Sequence, residues 1–331
     1  MTFTTMGAEQ GGPDLVDPSV DFTDEFQGKG RPIWYDDYNH RVEQTYRPDN
    51  AQATTTKGII YSILKHLVLI LVSIGMLYPL LWLVSRSFMP NALIFRDINL
   101  LPYPFVLENY SAGWNALMFP FSVYITNSLI IVVGNIIGQL VSCSITAYAF
   151  ARLNFRARTP FFVMMLLTVM LPTQVTMIPQ YIIWNQLGWL NTFVPLILPS
   201  FLATHAFFIF LLVQFIRGIP TELDEAARID GAGHFRIFTM VILPLMKPAL
   251  ATVTIFTFIW TWNDFMGPLI ILTDPRRFTV ALALRQFIDP QSGSNWAAMF
   301  AMSVVTLIPL FLVFLIGQRW LVQGIATTGG K

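Results

Sequence analysis

The sequence has little charge for its length and only one cysteine. Asp, Glu, Lys and Arg make up 12% of the 331 residues, about half of their share in an ordinary soluble domain. Residues 159–216 contain none of the four. The single Cys143 excludes an intrachain disulfide, and its apolar surroundings predict a small buried side chain. The net charge of +1 gives no electrostatic reason to expect nucleic acid as a partner.

Sequence signatures of catalytic sites are also missing. No glycine loop of the G-x-x-x-x-G-K-[ST] kind is present to hold the phosphates of a nucleotide. No Cys/His cluster has the spacing of a metal site, and no G-x-S-x-G turn presents a serine nucleophile. We therefore expect no enzyme activity, no metal and no cofactor bound by this chain.

Long hydrophobic blocks dominate what is present. A helix needs about 20 mainly apolar residues to cross a hydrocarbon layer roughly 30 Å thick. Six blocks meet this length: 59–84, 121–150, 160–184, 191–216, 248–273 and 294–322. Gly188, Asn191 and Pro195 separate the third block from the fourth. Because two-residue alternation is lacking, the blocks predict an all-α membrane domain over 59–331 with six transmembrane helices.

The first 58 residues differ in composition from the rest of the chain. They hold ten acidic against five basic residues and show no apolar periodicity, which predicts a flexible cytoplasmic tail. Basic loop residues indicate the cytoplasmic side of a membrane protein. On one side of the predicted helices lie Arg152, Arg156, Arg158, Arg217, Arg228, Arg236 and Lys247. We therefore expect both termini in the cytoplasm, with Arg276 and Arg277 outside.

A charged, glycine-containing segment lies between the fourth and fifth blocks, over residues 224–244. It predicts a helix over 222–230 and a second helix over 234–241 that ends before Pro244. Thr221 and Asp224 have the spacing of a capping box. A small-residue strip at Ala226 and Ala227 suits insertion into a groove on a partner protein. The alternative is a linker helix that lies on lipid headgroups.

The same segment resembles the "EAA" signature of the integral membrane subunits of bacterial ABC importers. The matching residues are Glu225-Ala226-Ala227, Gly231, Val241 in place of the usual isoleucine, and Leu243-Pro244. Further stretches resemble the carbohydrate-uptake branch of that family, whose maltose-system member has six spans. They are 126–129, 147–152, 171–172 with 178–179, 262–265, and 318–319 with 323–324.

The resemblance implies a transport subunit of a bacterial inner membrane that works with other chains. The expected partners are a second permease subunit, two cytoplasmic ATPases that carry ATP and Mg²⁺, and an extracytoplasmic solute-binding protein. It implies that the loop couples to an ATPase, with Glu225, Ala226, Ala227 and Gly231 in a cleft on that partner. The neighbouring candidates for this contact are Asp224, Arg228, Leu243 and Pro244.

A few polar residues inside the blocks are candidates for a translocation path. Asp264 is the only acid within the six blocks, and an ionisable group in a membrane helix is a functional candidate. Either Asp264 caps a broken helix near the outer surface, or Asn263 and Asp264 touch a passing sugar. The other candidates are Trp262, Asn127 and Gln174. Such polar side chains also bond neighbouring helices together.

Three functions are compatible with these features. The resemblance implies import of a sugar or oligosaccharide. Import of glycerol phosphate or another polyol is the alternative, since the outer Arg276 and Arg277 suit an anion. An ion-coupled secondary transporter is a rival from another class. That class usually has inverted repeats and more ionisable residues within the membrane, and neither is visible here.

Overall fold

The structure, a computed structural model, describes residues 56–97, 99–288 and 294–329. Residues 1–55 of the predicted tail therefore lie outside the described residues. Within the described residues the regular secondary structure is entirely helical, and no β-strand occurs. The all-α prediction is confirmed.

Fourteen α-helices follow one another along the described chain. They are α1 Thr56–Arg86, α2 Glu108–Asn115, α3 Phe121–Arg152, α4 Arg158–Val169, α5 Thr173–Gln186, α6 Val194–Phe201, α7 Ala206–Arg217, α8 Glu222–Ile229, α9 His234–Ile237, α10 Leu243–Leu245, α11 Lys247–Trp262, α12 Met266–Ile271, α13 Val280–Arg285 and α14 Trp296–Gly329. A π-helical turn, Phe238–Ile242, joins α9 to α10, and Pro275–Arg277 form a 3₁₀ turn. The chain divides into two compact units after Tyr78, and the packing described below belongs to the second.

Four of the predicted membrane crossings occur as long apolar helices. They are Ile59–Arg86, Phe121–Arg152, Val194–Arg217, which joins α6 to α7, and Trp296–Arg319. The break before α6 lies where the sequence predicts it. Gly188 and Asn191 both have positive φ, and Pro195 lies in the first turn of α6, where its missing N–H has no helical partner to lose.

The third predicted crossing is not one straight helix. α4 and α5 meet at an angle of 100° across a break of three residues. Pro172 has a fixed ring and no N–H, and its backbone is extended, with ψ at 131°. The prediction of an uninterrupted helix over 160–184 is wrong. The two halves supply a crossing only as a bent pair.

The fifth predicted crossing is displaced along the chain. α11 ends at Trp262 instead of continuing to 273, and the helical segment His234–Leu245 precedes it at an angle of 75°. Just after this end, Asp264 Oδ1 accepts the N–H of Gly267 in the first turn of α12, at 3.1 Å. Six crossings remain if each bent pair counts as one.

Helix α3 is the centre of the fold and packs against α6, α7 and α11. Gly134 and Gly138 let α6 approach closely. A Cβ at Gly134 would lie 2.8 Å from Ile197, and one at Gly138 would lie 2.8 Å from Phe201. Small residues four apart are a common means of helix contact in membranes.

Buried polar side chains join the same helices. The Ser200 hydroxyl on α6 donates to Asn135 on α3 and accepts from the Gln139 amide at 3.3 Å. Cys143 donates to Gln139 at 3.1 Å, and its side chain is fully buried as predicted. These bonds satisfy polar atoms that would otherwise be costly inside an apolar core.

Candidate functional site

The segment that the sequence marks for coupling forms a helix and a turn, residues 221–233, here called the elbow. Helix α8 begins after Thr221, but no side chain caps it. The Asp224 N–H donates to the backbone oxygen of Thr221 at 3.0 Å. The predicted capping box is therefore wrong, because the Asp224 carboxylate is used elsewhere.

Asp224 forms a buried ion pair with Arg152, the last residue of α3. Arg152 Nε lies 2.7 Å from Asp224 Oδ2, and the two side chains are 6% and 4% exposed. A second guanidinium nitrogen, Nη2, donates to the backbone oxygen of Ile219 at 2.6 Å. Arg152 therefore fixes both the helix α8 and the chain that leads into it.

Tyr148 lies one helical turn before Arg152 and contributes to the same anchor. Its ring packs against Phe238, with the ring centroids 5.2 Å apart. Among the described residues its hydroxyl has no hydrogen-bond partner, and neither does Asp224 Oδ1. The charges of Asp224, Arg228 and Arg152 all act on the Tyr148 hydroxyl. The anchor thus joins α3, α8 and the π-helical turn.

The opposite side of the elbow is open. Glu225, Ala226 and Arg228 are exposed, whereas Ala227 packs against the core. Apolar side chains flank these residues, and Ile229 and Phe235 are 88% and 78% exposed. Such exposure of large apolar groups is typical of an interaction surface.

Gly231 closes the elbow with a positive φ of 80°. Its N–H donates to Arg228 O at 2.9 Å, and the N–H of Ala232 donates to Ala227 O at 2.9 Å. These two bonds form a Schellman motif, which needs a left-handed residue at the position of Gly231. A Cβ added to Gly231 would meet nothing within 4 Å, so the glycine is required by the backbone angle and not by crowding.

Leu243 and Pro244 lie beyond the elbow, in a helix that continues. The predicted end of the second helix before Pro244 is wrong, because the π-helical turn leads directly into α10. Proline removes one helical N–H and its ring crowds the carbonyl four residues earlier, which the wider turn accommodates. Leu243 packs against the core and Pro244 is exposed.

Two of the candidate path residues form hydrogen bonds to distant parts of the chain. The Asn127 amide donates to the backbone oxygens of Arg276 and Phe278 at 2.8 and 3.0 Å. Trp262 is buried, and its Nε1 donates to Thr306 O at 3.2 Å. Neither lines the cavity beside Asp264. Both hold helices and loops together.

The remaining candidates lie near that cavity or on its margin. Asp264 is half-buried and lines it, whereas Asn263 is exposed and donates to Ile259 O of its own helix at 2.8 Å. Gln174 is exposed on α5 and does not line the cavity. The lining residues that sequence reasoning missed are Thr173, Thr176, Met177, Gln180, Tyr181 and Trp184. Their spacing of three, four and seven is that of one helix face, a signal that was present in the sequence.

Taken together, the apolar helices and the polar, largely exposed elbow define a helical protein with several membrane-spanning segments. No group of three or more potential metal ligands occurs among the described residues. Residues 141–327 match the family described as the binding-protein-dependent transport system inner membrane component, and the chain belongs to this family.

Named relatives agree with this family. The chain is 32% identical over 276 residues to the sn-glycerol-3-phosphate transport system permease protein UgpE of Brucella abortus (strain 2308), covering 81% of this chain and 97% of that protein. It is 35% identical over 262 residues to the arabinooligosaccharides transport system permease protein AraQ of Halalkalibacterium halodurans, covering 77% and 91%. The chain is therefore a permease subunit of an ABC importer, a multi-pass membrane protein and not an enzyme.

The fold has a solved counterpart. A bacterial ABC transporter involved in the import of the acidic polysaccharide alginate superposes with a TM-score of 0.71 at 24% identity, covering 80% of this chain and 98% of that chain. At this identity the likeness shows the fold alone.

Proposed function

We propose that this permease forms half of the translocation path for a sugar or oligosaccharide and couples to a cytoplasmic ATPase through the elbow. The observation that carries the coupling is the buried Arg152–Asp224 pair. It attaches α8 to the end of the central helix α3, so a force on the elbow is passed directly to a membrane helix. A helix lying loosely on lipid headgroups would not need such an anchor.

The other partners follow from the same proposal. A second permease subunit completes the path, and two ATPase subunits hold ATP and Mg²⁺. A solute-binding protein delivers the substrate from outside. In this arrangement both termini, the tail over residues 1–58 and the elbow are cytoplasmic, because the basic residues Arg152, Arg158 and Arg217 lie at the helix ends beside the elbow.

The open side of the elbow has the chemistry of a docking surface. Glu225 offers a carboxylate, Ala226 offers close approach, and Ile229 and Phe235 offer apolar area. A cationic side chain on the ATPase would pair with Glu225 at the centre of the contact. Truncating one member of a desolvated interfacial charge pair costs about 2–5 kcal/mol.

Glycerol phosphate is the second candidate substrate, because the Brucella relative is named for sn-glycerol 3-phosphate. An anion would require cationic groups free to bind it. Arg277 donates to the backbone oxygen of Asn191, and the Arg276 guanidinium lies over the Phe119 ring at 5.3 Å. Neither guanidinium lines the cavity beside Asp264, and this position favours the saccharide.

Co-expression of the whole importer tests the coupling. We expect the ATPase to co-purify with the wild-type permease, and Glu225→Lys or Gly231→Pro to abolish co-purification and ATP-dependent uptake while membrane insertion continues. Glu108→Lys is the control, because Glu108 is an exposed acid of α2 outside the elbow. Normal uptake and association in the Glu225→Lys and Gly231→Pro variants would reject the proposal.

A further inference from the structure

A cavity of about 220 Å³ lies between α5, α6 and α12. Among the described residues that line it, Asp264 is the one charged side chain, and none is Lys or Arg. Within the described ranges, Asp264 forms no ion pair, and its Oδ1 is held by the Gly267 N–H. The carboxylate is thus fixed in place while its charge stays uncompensated.

Gly267 makes room for the second oxygen of this carboxylate. A Cβ on Gly267 would lie 2.5 Å from Asp264 Oδ2, which is closer than real Cβ contacts. The same Cβ would lie 3.3 Å from Leu196 on α6. A larger residue at position 267 would therefore displace the carboxylate from its observed position beside the cavity.

The face of α5 that lines the cavity complements the carboxylate. Thr173 and Gln180 offer a hydroxyl and an amide, and the Gln180 side chain forms no hydrogen bond to any described residue. Tyr181 and Trp184 offer aromatic surface beside them. Trp184 is held in orientation because its ring stacks on Trp189, with centroids 5.7 Å apart and planes 21° apart.

We propose that this cavity binds one ring of an uncharged saccharide and that Asp264 excludes anionic substrates, an inference that rests on the proposed transport function. Sugar hydroxyls would donate to the Asp264 carboxylate and exchange hydrogen bonds with Gln180, and the C–H face of the ring would lie on Trp184. A carboxylate accepts stronger hydrogen bonds than a neutral oxygen does. The volume lies below the roughly 300–1,000 Å³ of sites for drug-sized ligands, which fits a single ring.

The same site disfavours glycerol phosphate. A phosphate in the cavity would face the Asp264 carboxylate with no cation between them, and like charges brought together in an interface oppose binding strongly. The negative charge of Asp264 would therefore favour an uncharged saccharide over glycerol phosphate.

Thiol protection in the assembled importer tests binding directly. Cys143 is fully buried, so a cysteine placed by Thr176→Cys becomes the reactive thiol of this subunit. Its alkylation by N-ethylmaleimide is followed in nanodiscs with arabinotriose, maltotriose or sn-glycerol 3-phosphate present. We expect at least one saccharide to slow alkylation about fivefold or more, and sn-glycerol 3-phosphate to leave the rate unchanged. Asn185→Cys, an exposed position of α5 outside the cavity, is the control and should show no protection.

Uptake measurements on the same preparation separate this inference from the proposed function. We expect Gln180→Ala and Asp264→Asn each to raise the KM for the transported saccharide about tenfold, the effect of one lost hydrogen bond. If neither saccharide protects Thr176→Cys, or if sn-glycerol 3-phosphate protects it equally, the cavity proposal is wrong even when uptake depends on ATP. If uptake does not depend on ATP, the proposed function is wrong even when a saccharide protects the thiol.

Discussion

Replacing Asp224 by alanine would leave the Arg152 guanidinium buried without its carboxylate. Removing one partner of a buried ion pair costs about 3–5 kcal/mol, because the other charge is left uncompensated. Arg152 would keep its hydrogen bond to Ile219 O at 2.6 Å, which favours the lower end of that range. About 3 kcal/mol corresponds to a change of roughly 100-fold in the equilibrium between attached and detached elbow.

The loss should be local, because α8 has eight residues and the rest of the fold does not depend on it. Hydrogen–deuterium exchange of the assembled permease in nanodiscs measures it directly. We expect the amides of Glu222–Ile229 to exchange roughly 100-fold faster in Asp224→Ala, while those of α7 stay unchanged. Asp230→Ala is the control and should leave the exchange rates within a factor of about two, since Asp230 is exposed and forms no ion pair among the described residues.

A double substitution distinguishes an unpaired charge from a general loss of packing. Arg152→Met combined with Asp224→Leu removes both charges and keeps apolar volume, and such replacements are often neutral or stabilising. The double variant should therefore exchange more slowly than Asp224→Ala. Equal exchange in Asp224→Ala and the wild type, or faster exchange in the double variant than in the single one, would refute the assigned role of the pair.

Three further outcomes are expected from the packing. Gly138→Leu should lower the free energy of unfolding in detergent by about 1–3 kcal/mol, because the new side chain would enter the space of Phe201. Gly75→Ala should have little effect, since a Cβ there meets nothing within 4 Å, and equal melting curves for the two variants would contradict this. Asn127→Ala should make the loop over residues 272–279 more sensitive to protease, since two backbone oxygens lose their donor. An unchanged digestion rate would argue against the anchor. Cys143 should react with maleimide only after denaturation, and rapid labelling of the native protein would show that α3 is more open than described.

Local backbone signals in the sequence proved informative. Gly231 and Asn191 adopt the positive φ that their residue types favour, and Pro195 lies in the first turn of a helix, as its missing N–H allows. These features depend on a few neighbouring residues, so they are visible in the sequence. The long apolar blocks were equally informative about which segments are helical.

Long-range pairing was not predictable in the same way. Asp224 has the spacing of a helix cap relative to Thr221, yet its carboxylate pairs with Arg152 from a distant helix. Asn127 looks like a path residue because it is polar within an apolar block, but it bonds the backbone oxygens of Arg276 and Phe278. A backbone acceptor has no side-chain identity, so its partner leaves no trace in the sequence. The polar face of α5 contains no charged side chain, so the charge pattern of the sequence does not mark it.

The π-helical turn Phe238–Ile242 influences the direction in which α11 leaves the preceding helical segment His234–Leu245. Each residue of an α-helix advances its neighbours by about 100° around the axis. Deleting one residue from the π-helical turn would therefore rotate α11 by about 100° around the axis of the preceding helical segment. α11 is bent by 75° from that segment. Trp262 would then point away from the Thr306 carbonyl that it meets at 3.2 Å. The length of the π-helical turn therefore sets the rotational position of α11, the helix that leads to Asp264.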